Sequence, residues 1–218
     1  MMRVRTFYLA GLPLALAAVM ACHTYGHADC HPGHGADGEM APPELDQVLV
    51  KGEYQLTDVK TGTKVDQTSH NGRWRLVFFG FTKCHTVCPV GLALMGSLVD
   101  RLDRSGLDVV PIFITVDPQR DTPAAMKEYL EHFDERIVGL SGSEADIGKA
   151  MKSFRIEAPR IAGVSETEYQ LDHPALIMLM DPVGKYVEHI PSSGILDTLA
   201  TALIGAIEET DLPVPGHH

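Results

Sequence analysis

The sequence of 218 residues predicts an α/β domain in which a central mixed β-sheet is flanked by helices. Two nearly continuous apolar runs, residues 75–81 and 109–116, are typical of strands buried on both faces of a sheet. Two further strands, residues 175–180 and 185–190, are joined by an Asp-Pro-Val-Gly turn. Strands that alternate with helices and end in an antiparallel pair predict a thioredoxin-like fold.

The other elements of the domain follow from shorter patterns. Apolar and polar side chains alternate over residues 54–59 before a Lys-Thr-Gly-Thr turn, which predicts an N-terminal β-hairpin. After the first buried strand, apolar residues recur at helical spacing from Leu92 to Leu102, and the Ser105-Gly106 pair ends this helix. The remaining patterns predict a short strand over residues 137–140 and helices over residues 123–133, 144–154 and 194–208.

The composition is that of a soluble globular domain, with 44% hydrophobic and 22% charged residues. A formal net charge of -11 argues against nucleic acid as a partner, because phosphates require a basic surface. We place the folded domain at residues 46–210 and a short tail at residues 211–218.

The first 22 residues are typical of a secretory signal, since two arginines precede an apolar stretch that ends in small residues. Pro13 interrupts the stretch, which is short for a membrane span of about 20 residues, so cleavage is favoured over an uncleaved anchor. The final Val-Met-Ala-Cys resembles a bacterial lipobox and predicts lipidation of Cys22. Ordinary cleavage nearby, with Cys22 playing no part, is the alternative.

Both interpretations of the leader export the protein to the bacterial cell envelope. With lipidation the protein is expected on the periplasmic side of the inner membrane, and without it in the soluble periplasm. Contact with the membrane is then expected through the anchor only.

Residues 23–45 contain few bulky apolar side chains and predict a flexible tether. Imidazole and thiolate groups suit copper or zinc, so the tether could serve as a secondary metal-collecting arm. The alternative is a polar linker that binds metal only adventitiously, because no scaffold fixes the ligand geometry. The residues concerned are His23, His27, Cys30, His31 and His34.

A pair of cysteines, Cys84 and Cys88, lies where the first buried strand meets its helix. Three residues separate the two, so on a helix both sulfurs would lie on one face about one turn apart. A helix N-terminus lowers thiol pKa values, and two close thiolates can hold a soft ion such as Cu(I) or form a disulfide. Thioredoxin-type redox enzymes usually have two intervening residues. A structural disulfide or two inert thiols would be the alternative without a functional role.

His173 is the strongest candidate for a third metal ligand, because it directly precedes a core strand whose loop should return beside the cysteines. Two thiolates and one imidazole form a trigonal set that Cu(I) accepts, and the nitrogen also suits Cu(II). Asp117 and Asp121 are expected to organise a turn that leads into a helix capped by Thr122. A direct part in the site is the alternative for both aspartates.

At this point the sequence resembles the Sco/SenC family of copper-binding assembly factors for cytochrome oxidases. The segments that carry the resemblance are FGFTKCHTVCP at 79–89, TVDPQRDTP at 115–123, GLSGSEADI at 139–147 and LDHPALIMLMDPVGKY at 171–186. The resemblance implies a thioredoxin-like fold and one copper ion per domain, Cu(I) or Cu(II), held by Cys84, Cys88 and His173. It also implies a partner, a cytochrome oxidase subunit that receives copper at its dinuclear site (CuA) or a related centre.

Two classes of function are compatible with the resemblance. The first is a metallochaperone, a binding protein without catalytic turnover, which hands over copper, reduces the receiving cysteines, or does both. The second is a thiol-disulfide oxidoreductase or weak peroxidase that uses Cys84 and Cys88, with His173 tuning thiolate reactivity and a thiol-disulfide reductant as partner. A metal-buffering lipoprotein centred on the tether is a third hypothesis, which would survive loss of both cysteines.

Overall fold

The computed structural model describes residues 50–161 and 169–210 of the chain. The predicted leader with Cys22, the His-rich tether and the tail lie outside these residues. In the part that is described, no helix is both long and apolar enough to cross a membrane.

The described residues contain nine strands and four α-helices. The strands are β1 (Gln55–Asp58), β2 (Lys64–Asp66), β3 (Trp74–Gly80), β4 (Val109–Thr115), β5 (Val138–Ser141), β6 (Arg160–Ile161), β7 (Gln170–Leu171), β8 (Leu176–Met180) and β9 (Tyr186–Pro191). The helices are α1 (Val87–Arg104), α2 (Pro123–Leu130), α3 (Glu144–Ser153) and α4 (Leu196–Glu209).

Seven of the strands form one mixed sheet in the order β2-β1-β5-β4-β3-β8-β9. The central strands β3, β4 and β5 are parallel, while β8 and β9 continue the sheet in antiparallel fashion on one side. The β1–β2 hairpin extends the other side by pairing antiparallel with β5. The predicted mixed sheet with flanking helices and an N-terminal hairpin is therefore confirmed.

The two apolar runs occupy the centre of the sheet, as their sequence requires. Every residue of β3 and of β4 is buried, because helices cover the sheet and leave no polar face for these strands. Helix α1 buries the apolar side that includes Leu92, Met95 and Leu98, and it ends at Arg104, with Ser105 as its C-cap before the left-handed Gly106. A salt bridge from Arg101 to Asp197 joins α1 to α4.

Helix α2 begins as predicted and ends early. The Thr122 hydroxyl accepts a hydrogen bond from the Ala125 N–H, and Pro123 opens the helix. The helix stops at Leu130, three residues before the predicted end. Beyond it the Asp134 carboxylate accepts a hydrogen bond from the Arg136 backbone N–H, a local contact that favours a turn over a further helical turn.

Two features differ from the expectation. Cys84 and Cys88 do not lie together on one helix, because α1 begins at Val87 and Cys84 belongs to the preceding loop. A small antiparallel ribbon, β6 with β7, also precedes the segment of His173. Each strand of this ribbon is only two residues long, too short to produce a recognisable period in the sequence.

Gly80 at the end of β3 is required by close packing. A Cβ atom at this position would lie 2.6 Å from Cys88 Sγ and 2.8 Å from the Phe113 ring. We therefore expect Gly80→Ala to lower the free energy of unfolding by about 1–3 kcal/mol, measured by urea denaturation of the reduced protein.

Gly148→Ala is the matched control for this substitution. Gly148 lies on the exposed side of α3, where a Cβ atom meets nothing within 4 Å. There alanine should raise the free energy of unfolding by roughly 0.5–1 kcal/mol, because glycine is unfavourable inside a helix. Equal effects of the two substitutions would contradict the packing argument.

Candidate metal centre

Strand pairing explains how residues distant in the sequence meet. Strands β3 and β8 run antiparallel with Phe78 opposite Ile177, so the end of β3 and the start of β8 lie at one edge of the sheet. The loop with Cys84 and the first turn of α1 with Cys88 follow β3 at this edge. His173 lies just ahead of β8 at the same edge.

Three candidate ligand atoms converge at this edge. Cys84 Sγ, Cys88 Sγ and one ring nitrogen of His173 all lie within 4.8 Å of one another. Cys88 Sγ lies 3.4 Å from His173 Nε2. Atoms that bind one ion at about 2.0–2.3 Å stand roughly 3.3–4.5 Å apart, so a small inward adjustment would let them share a metal.

The group is buried and both cysteines are free thiols. Cys84 is 6% exposed, Cys88 is 0% exposed and His173 is 9% exposed. The sequence-based expectation that these three residues meet is therefore reproduced by the structure. His85, beside Cys84 in the sequence, is exposed and takes no part in the group.

The imidazole of His173 is oriented by its surroundings. Its Nδ1 lies 3.3 Å from the carbonyl oxygen of Pro174, which can only accept a hydrogen bond. Nδ1 therefore carries the proton, and the lone pair of Nε2 remains available for the thiols or a metal. The ring of Phe81 meets the imidazole edge-on at a centroid distance of 5.7 Å and limits its rotation.

The two thiols differ in acidity because one donates a hydrogen bond to the other. A hydrogen bond from Cys88 lowers the pKa of Cys84 to about 3 although burial opposes this, and the neighbouring His173 side chain adds a smaller lowering effect. The same contact and burial raise the pKa of Cys88 above its ordinary value. Because the pKa of Cys88 is raised, binding of a metal by both sulfurs would release its proton.

Asp121 holds the loop of Cys84 in place through hydrogen bonds that the sequence did not predict. Its buried carboxylate accepts hydrogen bonds from the backbone N–H and the hydroxyl of Thr82, and from the hydroxyl of Thr115. Burial raises the pKa of Asp121. The carboxylate lies in the expected turn before α2, but its main contact is with the segment two residues before Cys84.

Asp117 and Arg120 make a second set of contacts from the same turn. Asp117 accepts hydrogen bonds from the Tyr169 hydroxyl and from Arg120 Nε, and Arg120 Nη1 donates to the Tyr169 carbonyl oxygen at 2.8 Å. Tyr169 lies four residues before His173. Asp117 and Arg120 lie in the TVDPQRDTP segment, where the sequence predicts a turn. Only the fold shows that this turn contacts Tyr169.

The fold and this dithiol–imidazole group define a thioredoxin-like protein with a candidate metal centre. The family model SCO1/SenC matches residues 42–208. The chain belongs to the SCO1/SenC family. It is 38% identical over 145 residues to the SCO2-like protein of Rickettsia conorii, a match that covers 66% of this chain and 70% of the relative.

Solved structures of relatives share the fold. The copper-bound ScoI of Arabidopsis thaliana has a TM-score of 0.68 at 30% identity and covers 73% of this chain and 99% of its own. The copper-bound ScoI of Bradyrhizobium japonicum has a TM-score of 0.64 at 38% identity, covering 72% and 98%. BsSco, described as a member of the Sco family of cytochrome c oxidase assembly proteins and as carrying a disulfide switch, has a TM-score of 0.57 at 25% identity, covering 72% and 93%.

Removal of the Cys88 donor tests the asymmetry of the two thiols. In Cys88→Ala the pKa of Cys84 should rise from about 3 toward the ordinary thiol value of about 8.5. At mildly acidic pH the reduced wild type should therefore keep the Cys84 thiolate, whereas Cys84 of the variant should be protonated. The measurement is ultraviolet thiolate absorbance as a function of pH.

Cys88→Ser supplies the control, because its hydroxyl can still donate a hydrogen bond to Cys84. The pKa of Cys84 should lie lower in this variant than in Cys88→Ala. An identical titration curve for Cys88→Ala and the wild type would refute the assignment of Cys88 as the donor.

Proposed function

We propose that this protein is a copper metallochaperone that assists assembly of the copper centre, CuA or a related one, of a respiratory cytochrome oxidase. One copper ion, Cu(I) or Cu(II), would be bound per domain by Cys84, Cys88 and His173. The observation that carries the proposal is the convergence of two thiols and one imidazole nitrogen within 4.8 Å at a buried sheet edge.

The chemistry of this ligand set favours copper. Thiolates are soft ligands that select Cu(I), and an imidazole suits both Cu(I) and Cu(II). Within the described residues the group has three members, which fits a trigonal Cu(I) site, whereas structural zinc sites are almost always closed by four ligands. Two thiolates would leave a net charge of -1 with Cu(I) and 0 with Cu(II), so neither state buries a large charge.

The relatives support copper as the cargo and an oxidase as the destination. Two solved relatives with the same fold were obtained with copper bound, at 30% and 38% identity. A third belongs to a family named for cytochrome c oxidase assembly. By this analogy the partner that receives copper is an oxidase subunit.

A thiol-disulfide oxidoreductase is the second candidate function, and one observation favours it. The low pKa of Cys84 makes a thiolate beside a buried thiol, which is the arrangement that dithiol reductants use. In that role Cys84 would attack a partner disulfide and Cys88 would resolve the mixed disulfide. A separate thiol-disulfide reductant would then return the pair to the dithiol state.

The place of action is proposed from the leader. A secretory signal that ends in a lipobox-like sequence supports lipidation of Cys22 and attachment to the periplasmic side of the bacterial inner membrane. Such an anchor would hold the copper site close to a membrane-embedded oxidase. Mass spectrometry of the mature N-terminus tests this, because an unmodified Cys22 or cleavage elsewhere would contradict it.

Copper binding is tested by anaerobic loading and metal analysis of the reduced protein. One equivalent of copper and a thiolate-to-Cu(II) charge-transfer band are expected, and Cys84→Ser or Cys88→Ser should abolish the band. His173→Ala should lower Cu(II) affinity by more than about a hundredfold, since changes of outer partners alone cost about 10- to 100-fold.

Two controls separate this site from other ligands. His85→Ala removes the exposed imidazole next to Cys84 and should leave copper binding unchanged. The tether is tested by a variant with alanine at His23, His27, Cys30, His31 and His34. Loss of the charge-transfer band in the tether variant, with retention in His173→Ala, would overturn the proposed site.

The two candidate functions are separated by His173→Ala. A metallochaperone needs the imidazole to hold Cu(II), whereas in an oxidoreductase the two sulfurs carry out the exchange and His173 tunes the reactivity of the thiolate. We expect the variant to reduce a disulfide-containing peptide at a rate close to that of the wild type while its Cu(II) affinity falls. Full Cu(II) binding together with lost exchange would favour the oxidoreductase.

A further inference from the structure

We propose that the turn at residues 117–121, which we call the brace, sets the distance between the thiols and His173. The inference rests on the proposed copper site and assigns Arg120 and Tyr169 as positioning residues for its imidazole. The brace follows β4 and contacts both halves of the site, although it contributes no atom to the dithiol–imidazole group.

The brace holds the cysteine half through Asp121. This carboxylate is 0% exposed and binds the backbone N–H and the hydroxyl of Thr82, with the hydroxyl contact at 2.6 Å. Thr82 lies two residues before Cys84, and the Cys84 N–H donates to the Phe81 carbonyl oxygen. These contacts fix the position of the cysteine loop relative to the brace and to the start of α2, which follows it.

The histidine half is held through Arg120 and Tyr169. The guanidinium of Arg120 lies 3.6 Å from the centroid of the Tyr169 ring, and its Nη1 donates to the Tyr169 carbonyl oxygen. Asp117 accepts a hydrogen bond from the Tyr169 hydroxyl at 2.6 Å, and the guanidinium of Arg160 also lies over the ring, 3.9 Å from its centroid. Tyr169 is only 5% exposed, so these contacts act away from solvent, where they are strongest.

Within the described residues, the start of the histidine segment is otherwise held by the β6–β7 ribbon, by a hydrogen bond from the Asp172 N–H to the Pro159 carbonyl oxygen and by packing of Leu171. The β6–β7 ribbon has two residue pairs, and so short a ribbon is not stable by itself. From Tyr169 the chain reaches His173 in four residues. The same guanidinium lies 5.6 Å from the centroid of Phe81, whose ring contacts the imidazole edge-on. Arg120 therefore acts on His173 along the chain and through Phe81.

The contacts of the brace to the cysteine half and to the histidine half of the site should affect copper binding differently. Two thiolates alone can retain Cu(I), which is soft, while Cu(II) depends on the nitrogen ligand. Loss of the contacts to Tyr169 should therefore weaken Cu(II) binding selectively. Thr82→Val, which removes a hydroxyl from Asp121, should instead weaken Cu(I) and Cu(II) binding together, because it loosens a thiolate.

The test compares Arg120→Met and Tyr169→Phe with the wild type in the full reduced chain. We expect Arg120→Met to lower Cu(II) affinity by about 10- to 100-fold, as other losses of outer contacts do, with Cu(I) affinity changed less than about threefold. Tyr169→Phe keeps the ring stack and loses one hydrogen bond, so a drop of about threefold to tenfold in Cu(II) affinity is expected. Amide hydrogen exchange over residues 169–173 should be faster in both variants without copper.

Arg136→Met is the matched control, the same substitution at an arginine that binds Asp100, Asp103 and Asp134 away from the site. It should leave the ratio of Cu(II) to Cu(I) affinity and the exchange of residues 169–173 unchanged. The proposal is overturned if Arg120→Met behaves like this control, or if it lowers both affinities equally.

Failure of the proposed function would look different. The proposed copper site is wrong if the wild type binds no copper, or if His173→Ala binds copper as well as the wild type does. The hydrogen-exchange comparison still decides on the brace in that case, since faster exchange in Arg120→Met supports it and unchanged exchange refutes it. Tyr169→Phe, the milder change, gives the same decision if Arg120→Met does not fold.

Discussion

The antiparallel pairing of β3 with β8 is the constraint on which the site depends. It brings the cysteine loop and the segment of His173 to one edge of the sheet. Cys88 and His173 are 85 residues apart in the sequence. Both strands are buried in the centre of the domain, so the core that stabilises the fold also sets the separation of the ligands. A change in the register of β8 would move His173 away from the sulfurs.

Much of this arrangement could be predicted from the sequence, and the exceptions have physical reasons. The strands β3 and β4 were evident because burial on both faces demands continuous apolar runs, and the pairing of Cys84, Cys88 and His173 followed from the motif and the expected fold. The start of α1 was missed, because propensity does not distinguish a helical turn from a loop around Cys84. The role of Asp121 was missed because its partners, Thr82 and Thr115, are set by tertiary contacts.

Burial of the site has a consequence for transfer. All three candidate ligands are at most 9% exposed, so a partner that receives copper must approach closely or displace part of the rim. Val87 and Val90 in the first turn of α1 are partly exposed apolar residues beside Cys88. Because the pKa of Cys88 is raised, uptake of copper by both sulfurs is also coupled to loss of its proton.

The most direct test of the central claim is X-ray absorption at the copper edge of the Cu(I)-loaded protein, with His173→Ala measured in parallel. The wild type should show two sulfur neighbours and one nitrogen neighbour with the outer scattering of an imidazole ring. His173→Ala should lose the imidazole scattering and keep both sulfurs. A wild-type spectrum with fewer than two sulfurs, or imidazole scattering that persists in His173→Ala, would contradict a site built from Cys84, Cys88 and His173.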